Sequence, residues 1–235
     1  MHDLHIVQRK ILFDLLFSDS LRYTDIKPLD MDSTQFMFHL KQLKSKGFVV
    51  KNPSGVYKLT EVGKEFANKL DITSLTFFPQ TKVTTVFCCV RLTGKHTEYL
   101  LYQRLKNPYY ECYGFPTQKV LWGETIESAA VKGLYEETGL KPSSTLTPFA
   151  IRHYRVYDKD KVLLEDKLMH GFIIPDPIGD LISNIEGDFF WADDAKIKTL
   201  SKTQDEFSEF LTTLKDFIKN STMSFKEFDV VSTVF

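Results

Sequence analysis

Two carboxylates stand side by side at Glu136 and Glu137, at the end of a stretch with helical spacing. Between residues 125 and 138 apolar side chains recur at Ile126, Ala129, Ala130 and Leu134, the stripe of one buried helix face. Thr125 is suited to cap that helix, and Gly139 to end it in a left-handed turn. The last turn of a helix carries the negative end of its dipole, so adjacent acids there gain nothing from the backbone. They would gain from a divalent cation. Residues three and four apart share a face, which sets position 133 beside 136 and 137. Position 133 is Gly. Hard cations want several oxygen ligands, and Gly133 offers none. It also costs roughly 1 kcal/mol of helix stability relative to Ala, with no structural return visible in the sequence. Close packing is one reason for a residue without a side chain here.

A second pattern points to phosphate. From Ser33 to Thr60 the chain carries Lys41, Lys44, Lys46, Lys51 and Lys58 and no acidic residue. Such a cluster suits a nucleic-acid backbone, and it equally describes a solvated basic face used for protein contact. No Arg in the stretch offers bidentate guanine readout.

The elements that must position these groups can be read from periodicity. Residues 4 to 17 are expected to form a helix, as are residues 23 to 27. Ser33 is read as the cap of a third helix whose Phe36, Leu40 and Leu43 share one face up to Gly47. Strands are expected from Phe48 to Val50 and from Val56 to Leu59 around the turn Asn52-Pro53-Ser54-Gly55, followed by a helix from Thr60 to about Leu70. Residues 72–80 read as a linker, dividing a domain at 1–71 from one at 81–235. In the second, strands are expected over Lys82–Leu92, with Cys88 and Cys89 on opposite faces, and over Glu98–Arg104 on either side of Gly94-Lys95. Further strands follow the carboxylate helix at Phe149–Tyr157 and Val162–Ile174. A helix with Phe207, Phe210, Leu211, Leu214 and Phe217 on one side comes next. The apolar tail from Met223 to Phe235 is expected to dock as a strand, a homodimer contact being one way to do so.

Two resemblances build on these residues. The run from Gly114 to Leu140 resembles the box of the Nudix superfamily. Glu124, Leu134, Glu136, Glu137, Gly139 and Leu140 fall at that box's spacing, while Gln118 stands at its first Gly and Lys132 and Gly133 at its Arg-Glu pair. The resemblance implies an α/β/α sandwich, Mg²⁺ or Mn²⁺ as cofactor, Glu136 and Glu137 as ligands, and Glu124 and Glu137 in the catalytic set. It implies a further carboxylate from the late strand region, for which Glu186 is the candidate, and ligand contacts from Arg104, Gln118 and Lys132. The substrate class would be a nucleoside diphosphate linked to another group. The run from His39 to Phe66 resembles winged helix-turn-helix transcription regulators in His39-Leu40, Leu43, Gly47 and Leu59-Thr60. Double-stranded DNA is the partner that this implies, through Lys41, Lys44, Lys46, Lys51 and Lys58.

The fold class expected is therefore α/β, a winged-helix α+β domain followed by a Nudix sandwich. The function expected is a ligand-sensing, DNA-binding regulator with weak or lost hydrolysis. The alternative is a Mg²⁺-dependent pyrophosphohydrolase, and an adaptor built from both modules is a third reading. In the most directly comparable regulators that join the two modules, the winged helix follows the Nudix domain. The 235 residues are 43 % hydrophobic and 26 % charged, enough for an ordinary core, and the net charge of −1 confines any nucleic-acid surface to a local patch. The three cysteines form no CxxC pair, and no apolar run reaches membrane-spanning length, so the cytoplasm is the expected compartment.

Overall fold

The computed structural model describes residues 4–71, 75, 79–93 and 96–235. Most of the expected linker and the Gly94-Lys95 turn lie outside the described residues. The chain divides into two compact units, Met1–Pro79 and Gln80–Phe235.

The first unit holds helices α1 (Ile6–Leu16), α2 (Tyr23–Ile26) and α3 (Ser33–Ser45), strands β1 (Val49–Lys51) and β2 (Tyr57–Leu59), and helix α4 (Glu61–Ala67). At the start of α1 the His5 ring accepts from Val7 N–H, while the Gln8 side chain accepts from His5 N–H. The cap of α3 is Asp32 rather than the expected Ser33: its carboxylate accepts from Thr34 and Gln35 N–H at 2.8 and 3.1 Å. A carboxylate one residue earlier reaches the same orphan donors and adds its charge to the positive helix end. The antiparallel hairpin aligns Val49 with Leu59 and Lys51 with Tyr57. The last helix is shorter than its periodicity suggests, and Thr60 caps it through Gly63 N–H at 2.9 Å. Ile11, Leu12, Leu15, Phe36, Leu40, Leu43, Phe48 and Tyr57 build the unit's core.

The second unit is one mixed sheet between helices. Strand β3 (Lys82–Thr93) runs parallel to β8 (Leu163–Pro175) and antiparallel to β4 (His96–Arg104). The order continues outward through β7 (Thr147–Tyr157) to β10 (Ser224–Val231) on one side and to β5 (Tyr113–Gly114) on the other. Strand β6 (Thr117–Lys119) pairs with β3, and β9 (Gly187–Ala192) with β4. Alternation along β3 sends Cys88 and Cys89 into opposite cores, both fully buried. Helix α5 (Ile126–Thr138) covers the Cys89 face with Ala130 and Leu134, and α7 (Phe207–Asn220) covers the Cys88 face with Phe207, Phe210 and Leu214. A separate short helix, α6 (Asp194–Ile197), ends before α7, so the segment after β9 does not begin the last helix.

The apolar tail does dock as a strand, and it does so within the chain. β10 lies parallel to β7 in a continuous register from Ser224↔Ala150 to Val231↔Tyr157. Arg152 on β7 is fully buried and holds this edge together. Its Nε donates to both Glu209 oxygens on α7 (2.9 and 2.8 Å), Nη1 to the Ser224 carbonyl (2.7 Å), and Nη2 to the Thr213 and Ser224 hydroxyls (2.8 and 2.9 Å). Among the described residues no helix is long and apolar enough to cross a membrane.

Candidate functional site

The carboxylate helix forms as its spacing predicts. Thr125 caps α5 through Ser128 N–H at 3.1 Å, and Gly139 ends it at φ +75°. An added Cβ at Gly139 would also meet the Asp180 carbonyl oxygen at 2.6 Å, so this position needs glycine twice over.

Beside α5 the ends of β3, β4, β6 and β8 open a polar cleft of about 400 Å³. Of the residues expected to touch metal or ligand, Arg104, Gln118, Glu137 and Glu186 line this cleft, while Glu124, Lys132 and Glu136 do not. Each expected carboxylate already holds a donor from the chain itself. Glu124 accepts from Leu121 N–H (2.9 Å) and from Lys132 Nζ (2.9 Å), and these two hold its carboxyl below the usual range. Glu136 accepts from the Gln118 amide at 3.3 Å. Glu137 accepts from the Asn184 amide at 3.0 Å, and Glu186 pairs with Lys106 at 2.5 Å. Arg104 lines the cleft while its Nε donates to the Lys106 and Pro108 carbonyls at 2.8 and 2.6 Å, bracing the loop that follows β4.

Gly133 has a structural return after all. Its Cα packs so closely that an added Cβ would lie 2.5 Å from Gln118 Cβ and 2.7 Å from Phe87 Cζ. The residue standing at the Gly position of the box fills the room beside the Gly standing at a Glu position. No three His, Cys, Asp or Glu side chains among the described residues are grouped to hold a metal ion.

The floor of the cleft holds residues that sequence reading missed. Lys167 on β8, with 7 % of its side chain exposed, lies 2.9 Å from Glu206 and 3.2 Å from Glu165, and Lys82 joins Glu165 at 3.1 Å. Burial pushes the Lys167 ammonium down, and Glu206 and Glu165 outweigh it, leaving the group above its usual value. Burial likewise pushes the Glu165 carboxyl up, but Lys167 and Lys82 pull it below the usual range. The Tyr109 ring lies 5.2 Å from the Lys167 ammonium. Burial and the nearby Glu206, Glu165 and Asp205 push its hydroxyl far up, so it stays protonated. The Thr84 hydroxyl and Glu206 Oε2 line this cleft and have no hydrogen-bond partner among the described residues. Buried atoms of that kind cost about 1–3 kcal/mol each when left unsatisfied, which a polar occupant relieves. Asn184 was missed as well: it joins Glu137 at the end of α5 to the Glu186 and Gly187 N–H groups before β9. Its only sequence signal is an Asn before an acidic loop residue.

In the first unit Lys41, Lys44, Lys46 and Lys51 are exposed on and after α3. Lys58 instead donates to Asp19 at 2.6 Å, which commits its charge within the chain.

A family model for the NUDIX domain matches residues 82–211. The NUDIX domain of Shewanella oneidensis NrtR, solved with ADP-ribose, superposes with a TM-score of 0.53 at 14 % identity, covering 68 % of this chain and 99 % of that one. The mutator MutT protein from Bacillus halodurans gives 0.52 at 15 % identity, covering 66 % and 93 %. No protein of curated function matches the sequence. At these identities the two structures speak for the fold alone. The family match extends over more than half of the chain and takes in β3 to β9, α5 and the cleft; this chain belongs to the NUDIX domain family.

Proposed function

We propose that this protein is a regulator in which the NUDIX cleft senses a nucleoside-diphosphate-linked metabolite and the amino-terminal unit binds double-stranded DNA. The observation that carries this reading is the state of the carboxylates. Glu124, Glu136, Glu137 and Glu186 are all bonded to donors of the chain, beside a polar cleft of about 400 Å³. That is a site built for binding rather than for bringing up an attacking water. The ADP-ribose held by the NrtR domain on a similar fold supports the ligand class.

The amino-terminal unit is proposed to be a winged helix. Three helices, a two-stranded hairpin and a closing helix are the elements that fold requires, and α3 would be its recognition helix. Lys41 and Lys44 stand one turn apart on α3, and Lys46 and Lys51 follow beside the hairpin. The positions suit phosphate contacts, which position a duplex without reading its sequence. Fluorescence anisotropy of the full-length protein with labelled duplex DNA tests this. Affinity should fall with salt, and changing Lys41, Lys44 and Lys51 together to Gln should weaken binding to every sequence. The salt slope should drop by roughly 1 for each lysine–phosphate pair removed. No salt-sensitive affinity for any duplex at low ionic strength would refute the DNA-binding half.

A further inference from the structure

We propose that Gln118 and Gly133 form a packed pair that leaves the carboxylate helix without a divalent-cation site. The pairing of β6 with β3 sets Gln118 opposite Thr85 and so fixes its backbone against α5. Both ends of its amide are then used. Oε1 accepts from Lys119 N–H at 3.0 Å, and Nε2 donates to Glu136 at 3.3 Å. A Cβ on residue 133 would meet the Cβ and Cγ of Gln118 at 2.5 and 2.6 Å. These are the near atoms of the side chain, which cannot swing away as a flexible tip would. Phe87 closes the other side, and it is fully buried. A side chain of any size at 133 therefore requires a small residue at 118 together with a shift of the Phe87 ring. The two positions share one volume, and the amide at 118 donates to Glu136.

Charge has been settled in the same direction. Lys132 answers Glu124, Lys106 answers Glu186, and the Asn184 amide answers Glu137. A cation entering here would have to displace two lysines and two amides to gather its oxygens, against the several ligands it needs. The inference is independent of what the cleft binds and of the DNA-binding reading.

The test uses Mn²⁺ alone, followed by electron paramagnetic resonance on the full-length protein, with melting temperature as a second readout. Wild type should show no saturable site in the range where Gln118→Gly/Gly133→Glu saturates, and the double variant should bind at least roughly tenfold more tightly. Gly133→Glu alone should melt lower and gain no metal affinity. Gln118→Gly alone should gain none either, since the third carboxylate is still missing. Saturable Mn²⁺ binding by wild type that Glu137→Gln removes would overturn the proposal, whether or not the double variant folds. So would Gly133→Glu alone binding Mn²⁺ as tightly as the double variant at an unchanged melting temperature.

Discussion

His153 stands between two carboxylates from neighbouring strands. Its Nδ1 lies 3.0 Å from Glu227 on β10 and its Nε2 2.8 Å from Asp166 on β8. With an acceptor at each ring nitrogen the imidazolium can donate twice, and the Glu227 and Asp166 hydrogen bonds raise its pKa against the opposing effect of burial. A raised folded value means that stabilisation is complete below the ordinary histidine value of about 6.5 and is lost as pH rises through the folded value. Thermal melts of wild type and His153→Gln should therefore separate more at pH 6 than at pH 8.5. A gap of the same size at both would show that the ring packs without titrating. The same scale explains why position 133 misleads when only the sequence is read. A helix interior pays about 1 kcal/mol for Gly, and only the neighbour at 118, brought in by strand pairing, reveals what that glycine makes room for.

Elements are held in register by a few buried polar contacts, and Arg152 is the plainest case. It ties β7 to α7 through Glu209 and Thr213 and to β10 through Ser224. Arg152→Leu leaves Glu209 without its cation, and breaking a buried pair of this kind costs about 3–5 kcal/mol. Chemical denaturation should read that loss, and amide exchange should speed up first in β10; unchanged stability would place the anchor elsewhere. Most of the elements were legible in the sequence. Helix α5 begins and ends where its apolar stripe, Thr125 and Gly139 say, and alternation along β3 separates Cys88 from Cys89. The strand pattern of the tail was legible too, although its partner, β7 of the same chain, was not. What stayed hidden depends on contacts between distant residues. Arg152 sits in a strand where alternation is equally consistent with an outward side chain. Lys167 and Glu206 meet across 39 residues only once β8 and the start of α7 are assembled. The Glu136–Glu137 pair was visible at once, but the amides that occupy it, Gln118 and Asn184, were not recognisable as its partners.

At the scale of the whole molecule, an amino-terminal unit with a lysine-bearing helix and a NUDIX unit share one chain of 235 residues. The mixed α/β fold of the second unit follows from its sheet and two covering helices, which leave a polar cleft open beside α5. The proposed ligand-sensing role requires that this cleft bind without cleaving. Calorimetric titration with ADP-ribose, with Mg²⁺ or with EDTA, followed by phosphorus NMR of the same samples after prolonged incubation, tests it most directly. Saturable binding of equal affinity is expected in both buffers, with an intact diphosphate at the end. Brisk conversion to AMP and ribose 5-phosphate in Mg²⁺, abolished by Glu137→Gln, would contradict it and make the protein a hydrolase.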